Sequence, residues 1–189
     1  MKYKIIKHKK FVDILSKETR ILIIGTFNPD YGDIKKAPEN KATFFYGRPH
    51  NFLWSLLPKV IEPKKFRKKG LKDEKDAVKI KFALKHKICF VDLIAEIKTN
   101  NFSYSDTDID NKISKCKNII KIIKENPIQE VYFTRNKFSG IKNIENKIKK
   151  IEQYCKYKKI KFVYLDTPAR NEGKAGKKLK SWKKAFGKR

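Results

Sequence analysis

The chain has 189 residues, of which 40% are hydrophobic and 12% aromatic, and its 48 Lys and Arg against 20 Asp and Glu give a formal net charge of +28. This length fits one domain, and the apolar fraction excludes an intrinsically disordered chain. Because phosphates release counterions when a basic protein binds them, the charge excess favours nucleic acid as the partner; the alternative is a solvated, lysine-rich surface.

The sequence offers neither a membrane segment nor a metal-binding motif. No stretch approaches the roughly 20 apolar residues of a membrane-spanning helix, and the N-terminal residues lack the apolar run of a signal peptide. We therefore expect a cytoplasmic protein with no membrane partner. The cysteines and histidines are too dispersed for a disulfide framework, a zinc site or an iron–sulfur cluster, so we expect no metal and no cofactor (Cys89, Cys116, Cys155; His8, His50, His86).

In chain order, the pattern predicts alternating strands and helices. Short runs rich in Ile, Val, Phe and Tyr predict strands over residues 20–25, 87–93, 130–134 and 160–165, and helical patterns cover 51–60, 73–85, 108–124, 137–156 and a terminal segment. The strand runs lack strict alternation, which indicates burial on both faces. We therefore predict an α/β fold, a three-layer α/β/α sandwich with a central four-stranded parallel sheet, in one domain over residues 1–189.

Ligands of such sheets bind outside the carboxyl ends of the strands, so the segments that follow the strands are the candidate functional loops. The first of these segments contains Asn28-Pro29, a pair that is also common in ordinary turns. The segment 44–54 (FFYGRPHNFLW) precedes a predicted helix, which Asn51 can cap while Leu53 and Trp54 face the core. The same segment also suits a pocket in which an aromatic ring stacks on a base and an amide reads its edge.

Four motifs, taken in order, resemble the uracil-DNA glycosylase superfamily: RILIIGTFNPDYG (20–32), FFYGRPHNFLW (44–54), CFVDLIAE (89–96) and YLDTPARN (164–171). The run PHNFLW is similar to the P-x-N-x-F-W element of the mismatch-specific uracil and hypoxanthine branches, and VDLIA is similar to the W-D-V-L-A element of the hypoxanthine branch. TPARN resembles a terminal motif that ends in S/T-P-x-x-N. The chain departs from the family pattern at Gly25, Asp30 and Asp166.

The resemblance implies a uracil-DNA glycosylase-like fold and a monofunctional DNA glycosylase that flips a deaminated base, uracil or hypoxanthine, out of DNA during base-excision repair. It implies that Asn28 orients the attacking water and that Asn51 contacts the flipped base. Base-binding residues would be Phe27, Tyr46 and His50. Asp92 is the rival general base, and its alternative role is a helix cap or an ion pair with a lysine.

The resemblance also implies a DNA-binding surface. Residues of the fourth motif would enter the minor groove, and cations around it would hold phosphates without reading sequence. Arg170 and Asn171 would enter the groove, Thr167 and Pro168 are further DNA-binding residues of the same motif, and the phosphate-binding residues are Arg48, Arg135, Lys174, Lys177 and Lys178. In the terminal helix, Trp182 lies on an apolar stripe and is predicted to anchor the core.

We therefore expect a monomeric, metal-free enzyme whose partner is damaged DNA, duplex or single-stranded. Two alternatives remain open. One is a non-catalytic nucleic-acid-binding protein on the same fold, which the three departures from the motif make credible. The other is a nucleoside-processing α/β enzyme that acts on small molecules.

Overall fold

A computed structural model describes residues 3–31, 42–48, 50–169 and 175–187. The strands are β1 (Lys4–Lys7), β2 (Ile21–Gly25), β3 (Ile88–Asp92), β4 (Ile94–Thr99), β5 (Ile113–Cys116), β6 (Glu130–Phe133) and β7 (Lys161–Tyr164). The helices are α1 (Leu53–Ile61), α2 (Asp76–Lys85), α3 (Asp106–Ile109), α4 (Ile119–Glu125), α5 (Lys142–Tyr157) and α6 (Ala175–Phe186), with one 3-10 turn at Asp110–Lys112. In the described ranges, none of these helices has the length and apolar character needed to cross a bilayer.

The central sheet confirms the predicted fold class. It has four strands in the order β3-β2-β6-β7, and every neighbouring pair is parallel. All five residues of β2 and all five of β3 are buried, which explains why neither run alternates between apolar and polar residues. The four predicted strands match these elements to within one or two residues at each end.

A second, antiparallel sheet was not predicted. It has three strands in the order β1-β4-β5, and its strand β5 lies where the sequence pattern predicted one helix over 108–124. That prediction is wrong, because the region holds α3, the 3-10 turn, β5 and the short helix α4. The backbone of β5 pairs with β4 instead of with its own neighbours, so tertiary pairing overrides the helical spacing of Ile113, Ile120 and Ile123.

Helices cover both faces of the central sheet. Successive strand residues point to opposite faces, and the adjacent residues Tyr132 and Phe133 of β6 meet different partners. Tyr132 stacks on Phe186 of α6 with ring centroids 4.0 Å apart, whereas Phe133 stacks on Phe138, which precedes α5. Helices α5 and α6 therefore lie on opposite faces, and α1 packs beside α6. Trp182 of α6 is fully buried, as predicted for a core anchor.

The cysteines are free thiols, and Cys89 and Cys155 are buried. Burial raises the pKa of the Cys89 thiol to about 12 and that of the Cys155 thiol to about 11. Both thiols therefore stay protonated at neutral pH, where a protonated thiol is a poor nucleophile and a poor metal ligand.

Candidate active site

A cavity of about 360 Å³ opens at the carboxyl edge of the central sheet. This volume lies within the roughly 300–1,000 Å³ typical of small-molecule sites. The cavity is lined by Thr26, Phe27, Asn28, Tyr46, Arg48, Asn51, Asp92, Tyr104, Ser105, Asp106, Thr134, Arg135, Thr167, Pro168 and Ala169. The lining includes nine of the predicted site residues, and each of the four motifs contributes at least one of them.

The loop after β2 places Asn28 in the cavity wall. Asn28 is 7% exposed, and its carbonyl oxygen accepts a hydrogen bond of 2.8 Å from the backbone N–H of Lys9. The N–H of Asp30 donates in turn to the carbonyl oxygen of Lys7 at 3.0 Å. The loop that carries Asn28 is thus fastened to the end of β1, which belongs to the second sheet.

Asp92, the last residue of β3, forms a buried hydrogen-bonded pair with His8. The imidazole Nε2 lies 2.6 Å from the carboxylate Oδ2, and the side chains of His8 and Asp92 are 9% and 7% exposed. An ionised carboxylate can only accept hydrogen bonds, so the imidazole N–H is the donor. The partner of Asp92 is therefore a histidine, where the sequence interpretation considered a helix cap or a lysine.

Gly25 allows the Asp92 carboxylate to lie directly against strand β2. A methyl group added at Gly25 would collide with the Asp92 carboxylate and with the Tyr46 hydroxyl. Glycine at position 25 therefore has a packing reason. Any larger residue would push both polar groups out of the cavity floor.

Tyr46 lies at the bottom of the cavity in a left-handed backbone conformation, with φ +57°. Its hydroxyl group is 3.0 Å from Thr134 Oγ1, and its ring meets the edge of Phe90. Burial, with a smaller contribution from Asp92, raises the pKa of the Tyr46 phenol well above its ordinary value. The side chain is therefore a neutral aromatic wall at physiological pH.

The second and fourth motifs meet at the mouth of the cavity. Asn51 Oδ1 accepts a bond of 2.8 Å from the N–H of Leu53, so Asn51 closes an Asx turn one residue before the helix cap Phe52. Because this oxygen is engaged, Asn51 offers a ligand its Nδ2 donor. The N–H of Phe52 donates to Pro168 O at 2.8 Å, and Asn51 pairs with Ala169 in an isolated bridge.

An additional carboxylate, Asp106, lies on the opposite wall. Arg135 Nε donates to Asp106 Oδ2 at 2.9 Å, and the Thr26 hydroxyl donates to the same carboxylate. Burial raises the pKa of the Asp106 carboxyl, and the Arg135 guanidinium opposes that rise. That Arg135 holds phosphate stays a prediction; in the structure its side chain is 16% exposed and is paired with Asp106.

The other predicted DNA contacts have varied surroundings. Arg48 lies over the Tyr104 ring at 4.5 Å, and Lys177 is exposed. Lys178 is 2% exposed and donates to Thr167 O and Ala169 O, so it secures the fourth loop and does not face a phosphate. His50 is exposed and lies outside the cavity lining, against its prediction as a base-binding residue. Arg170, Asn171 and Lys174 lie outside the described residues.

Sequence reasoning missed four side chains of this region: His8, Tyr104, Asp106 and Thr134. Thr134 ends the third predicted strand, so its place at the carboxyl edge was a usable signal. His8 and Asp106 carried no such signal, because each comes from the second sheet or its loops, which the sequence pattern did not reveal. Across the described ranges, no group of three or more His, Cys, Asp and Glu side chains is arranged to hold a metal ion.

Comparison with known proteins finds similarity among solved structures. No protein-family profile matches the chain, and no curated protein matches it. Among solved structures, it matches the solution NMR structure of a protein from Methanosarcina acetivorans described as a "putative Uracil DNA glycosylase", with a TM-score of 0.63 over 96% of both chains. The two chains share one fold. At 19% identity, this similarity shows a shared architecture. What the site does has to be argued from its own side chains.

Proposed function

We propose that this protein is a DNA glycosylase that hydrolyses the N-glycosidic bond of a deaminated base, uracil or hypoxanthine, in DNA. One observation carries the proposal: Asn28, Asn51 and Asp92 meet around one cavity at the carboxyl edge of the parallel sheet. The fold shared with the Methanosarcina protein and the net charge of +28 support it further.

The proposed reaction replaces the bond between C1′ and the base nitrogen by a bond between C1′ and a water oxygen. The base leaves with the electron pair of the broken bond, and the sugar passes through an oxocarbenium-like state. Asn28 orients the water, and the carboxylate of Asp92 accepts the proton that the water loses. The departing base, which carries the electron pair, takes a proton from solvent, and Asp92 releases the proton it accepted to solvent, so that one water is added across the broken bond and Asp92 is regenerated.

The flipped base would occupy the cavity between aromatic walls. Phe27 is 6% exposed and lines the cavity, and the neutral Tyr46 ring lies at its bottom. Stacking on aromatic side chains contributes roughly 1–3 kcal/mol per base in single-strand complexes. The Nδ2 donor of Asn51 would bind a carbonyl oxygen of the base and stabilise the charge that develops there on bond cleavage.

The test is single-turnover cleavage of labelled duplexes that contain uracil, hypoxanthine or xanthine, followed by alkali to cut abasic sites. We expect wild type to cleave at least one of them, and Asn28→Ala, Asn51→Ala and Asp92→Asn each to slow it by about 100-fold or more. Matched controls are the exposed Asn111→Ala and Asp73→Asn, which make the same chemical changes away from the cavity and should leave the rate unchanged.

Intact duplexes that are still bound tightly would overturn the catalytic proposal in favour of a nucleic-acid-binding protein. Binding strength should then be measured against salt, because log affinity for duplex DNA falls by about 0.9 per neutralised phosphate for each tenfold rise in salt. Activity on free nucleosides that is indifferent to salt would point instead to a nucleoside-processing enzyme.

A further inference from the structure

The segment after β1 contacts two of the three elements that carry proposed catalytic residues, the loop of Asn28 and the end of β3 with Asp92. Lys9 N–H binds the carbonyl oxygen of Asn28, and the adjacent His8 side chain binds the carboxylate of Asp92. The backbone N–H of His8 also donates to Ala95 O at 2.8 Å, which fixes His8 to the second sheet. Three contacts of residues 8 and 9 thus join the segment after β1 to the loop after β2, to the end of β3 and to strand β4.

His8 stands behind Asp92 and outside the cavity that Asp92 lines. It faces a separate cavity of about 490 Å³ beneath the segment that follows β1. Its ring packs among Phe11, Phe27 and Phe45, with centroid distances of 5.7, 6.2 and 6.1 Å. This aromatic surround fixes the plane of the imidazole, and the plane of the imidazole fixes the direction of its N–H.

Within the described part of the chain, His8 is the one cation-forming side chain within 4.0 Å of Asp92. It engages Oδ2, while the other carboxylate oxygen, Oδ1, lies beside Gly25 and the Tyr46 hydroxyl in the cavity floor. Oδ2 of Asp92 therefore binds His8, and Oδ1 is the oxygen on the cavity side. Without the imidazole, the carboxylate could turn about its side-chain bond and leave the water.

We infer that His8 is a positioning residue for the glycosidic cleavage: it acts through Asp92, whose carboxylate it holds in the orientation that accepts the water proton. This inference rests on the proposed function. His8 does not touch substrate, and it neither gains nor loses a proton in the reaction. It holds the carboxylate oxygen that accepts the proton in a fixed orientation toward the water. Loss of His8 should therefore lower the rate of the chemical step and leave the affinity for DNA unchanged.

The test compares His8→Phe with His8→Gln. Phenylalanine keeps the aromatic packing and removes the N–H donor, whereas glutamine carries an amide N–H at nearly the reach of Nε2. We expect His8→Phe to lower the single-turnover rate constant by about 30-fold with the duplex Kd unchanged, and His8→Gln to restore it to within about 5-fold of wild type. If His8→Phe does not fold, His8→Asn takes its place, because its amide is one methylene too short to reach Asp92.

Two further variants separate positioning from general support. In an Asp92→Asn background, His8→Phe should change the rate by less than about 2-fold, since the carboxylate that it holds is already gone. His86→Phe removes the imidazole of a remote pair with Glu62 and should leave the rate unchanged. Equal losses in His8→Phe and His8→Gln, or additive losses with Asp92→Asn, would overturn the inference. A wild type that cleaves no duplex would overturn the proposed function itself, and this inference with it.

Discussion

Two histidine–carboxylate pairs in this protein have the same chemistry and different surroundings. His8 Nε2 and Asp92 Oδ2 are 2.6 Å apart, with Asp92 lining the cavity and His8 behind it, and His86 Nε2 and Glu62 Oε1 are 2.8 Å apart at the ends of helices α2 and α1. Glu62 also binds Lys85 and Lys65, so its charge is shared among several cations. Asp92 has the Tyr46 phenol and a cavity on its remaining side.

The difference shows what burial and the number of partners do to one and the same contact. Glu62 is less deeply buried and keeps two lysines, Lys85 and Lys65, when its histidine is removed. Asp92 has no second cationic side chain within 4.0 Å in the described part of the chain, so no other charge replaces its histidine. A contact of this kind constrains geometry more than it adds stability, which is the property that a catalytic carboxylate requires.

The largest effect on cleavage should come from displacing the Asp92 carboxylate with a substitution at Gly25, on the side opposite His8. Gly25→Ala places a methyl group where the carboxylate and the Tyr46 hydroxyl now lie, so we expect cleavage to slow by about 100-fold. Overpacking of this kind also destabilises a core by about 1–3 kcal/mol, which thermal unfolding would register. Gly176→Ala, whose added carbon meets nothing within 4 Å, is the matched control and should leave cleavage unchanged. A fully active Gly25→Ala would show that the orientation of Asp92 does not matter.

Double-mutant cycles on the two pairs would measure the contrast directly. For His8→Phe with Asp92→Asn we expect a coupling free energy of about 1.5–3 kcal/mol, as for buried hydrogen bonds to a charged group. For His86→Phe with Glu62→Gln the expected coupling is below about 1 kcal/mol, because the lysines remain. Denaturant unfolding of all six variants and wild type gives both values. Equal couplings would show that burial does not distinguish the pairs.

The smallest effect is a pH dependence at the open pair. Lys85, followed by His86, holds the pKa of the Glu62 carboxyl below its ordinary value against the opposing effect of burial. A lowered folded-state pKa stabilises the protein above the unfolded value of about 4.3, and this contribution is lost as pH falls through the folded value. Glu62→Gln should therefore lower the Tm at pH 7, and its difference from wild type should shrink once the pH falls below about 4.3 and vanish below the folded-state pKa. A difference that stays constant down through acid pH would mean that Glu62 acts through packing and not through charge.

The hydrophobic pattern of the sequence predicted the central parallel sheet and did not predict the second, antiparallel sheet. The runs of β2, β3 and β6 are apolar and mostly buried because helices cover both faces of the sheet, and the apolar residues of β7 are half-buried. Such runs can be recognised in the sequence without knowledge of the partner strands. The second sheet left no comparable trace. Its strand β1 reads KIIK with one buried residue, and β5 reads ISKC with none, so neither run differs from an exposed loop.

The residues of the candidate site fall into the same two groups: those near the predicted strands were found from the sequence, and those that depend on the second sheet were not. Asn28, Asn51, Asp92 and Thr167 follow predicted strands or open a predicted helix, and the sheet brings them to one edge. His8 is 84 positions from Asp92, and its pairing depends on the unpredicted second sheet. Asp106 was hidden for the same reason, since it begins a short helix inside the region predicted as one long helix.

The ties between helix α6 and the fourth loop bear on when the site can exist during synthesis. Lys178 holds Thr167 O and Ala169 O, and Trp182 Nε1 donates to Asp166 O at 2.9 Å. The loop that lines one side of the cavity is thus held by helix α6. A nascent chain cannot assemble this pocket until α6 has left the ribosome, so the proposed base removal would begin only after that helix has emerged.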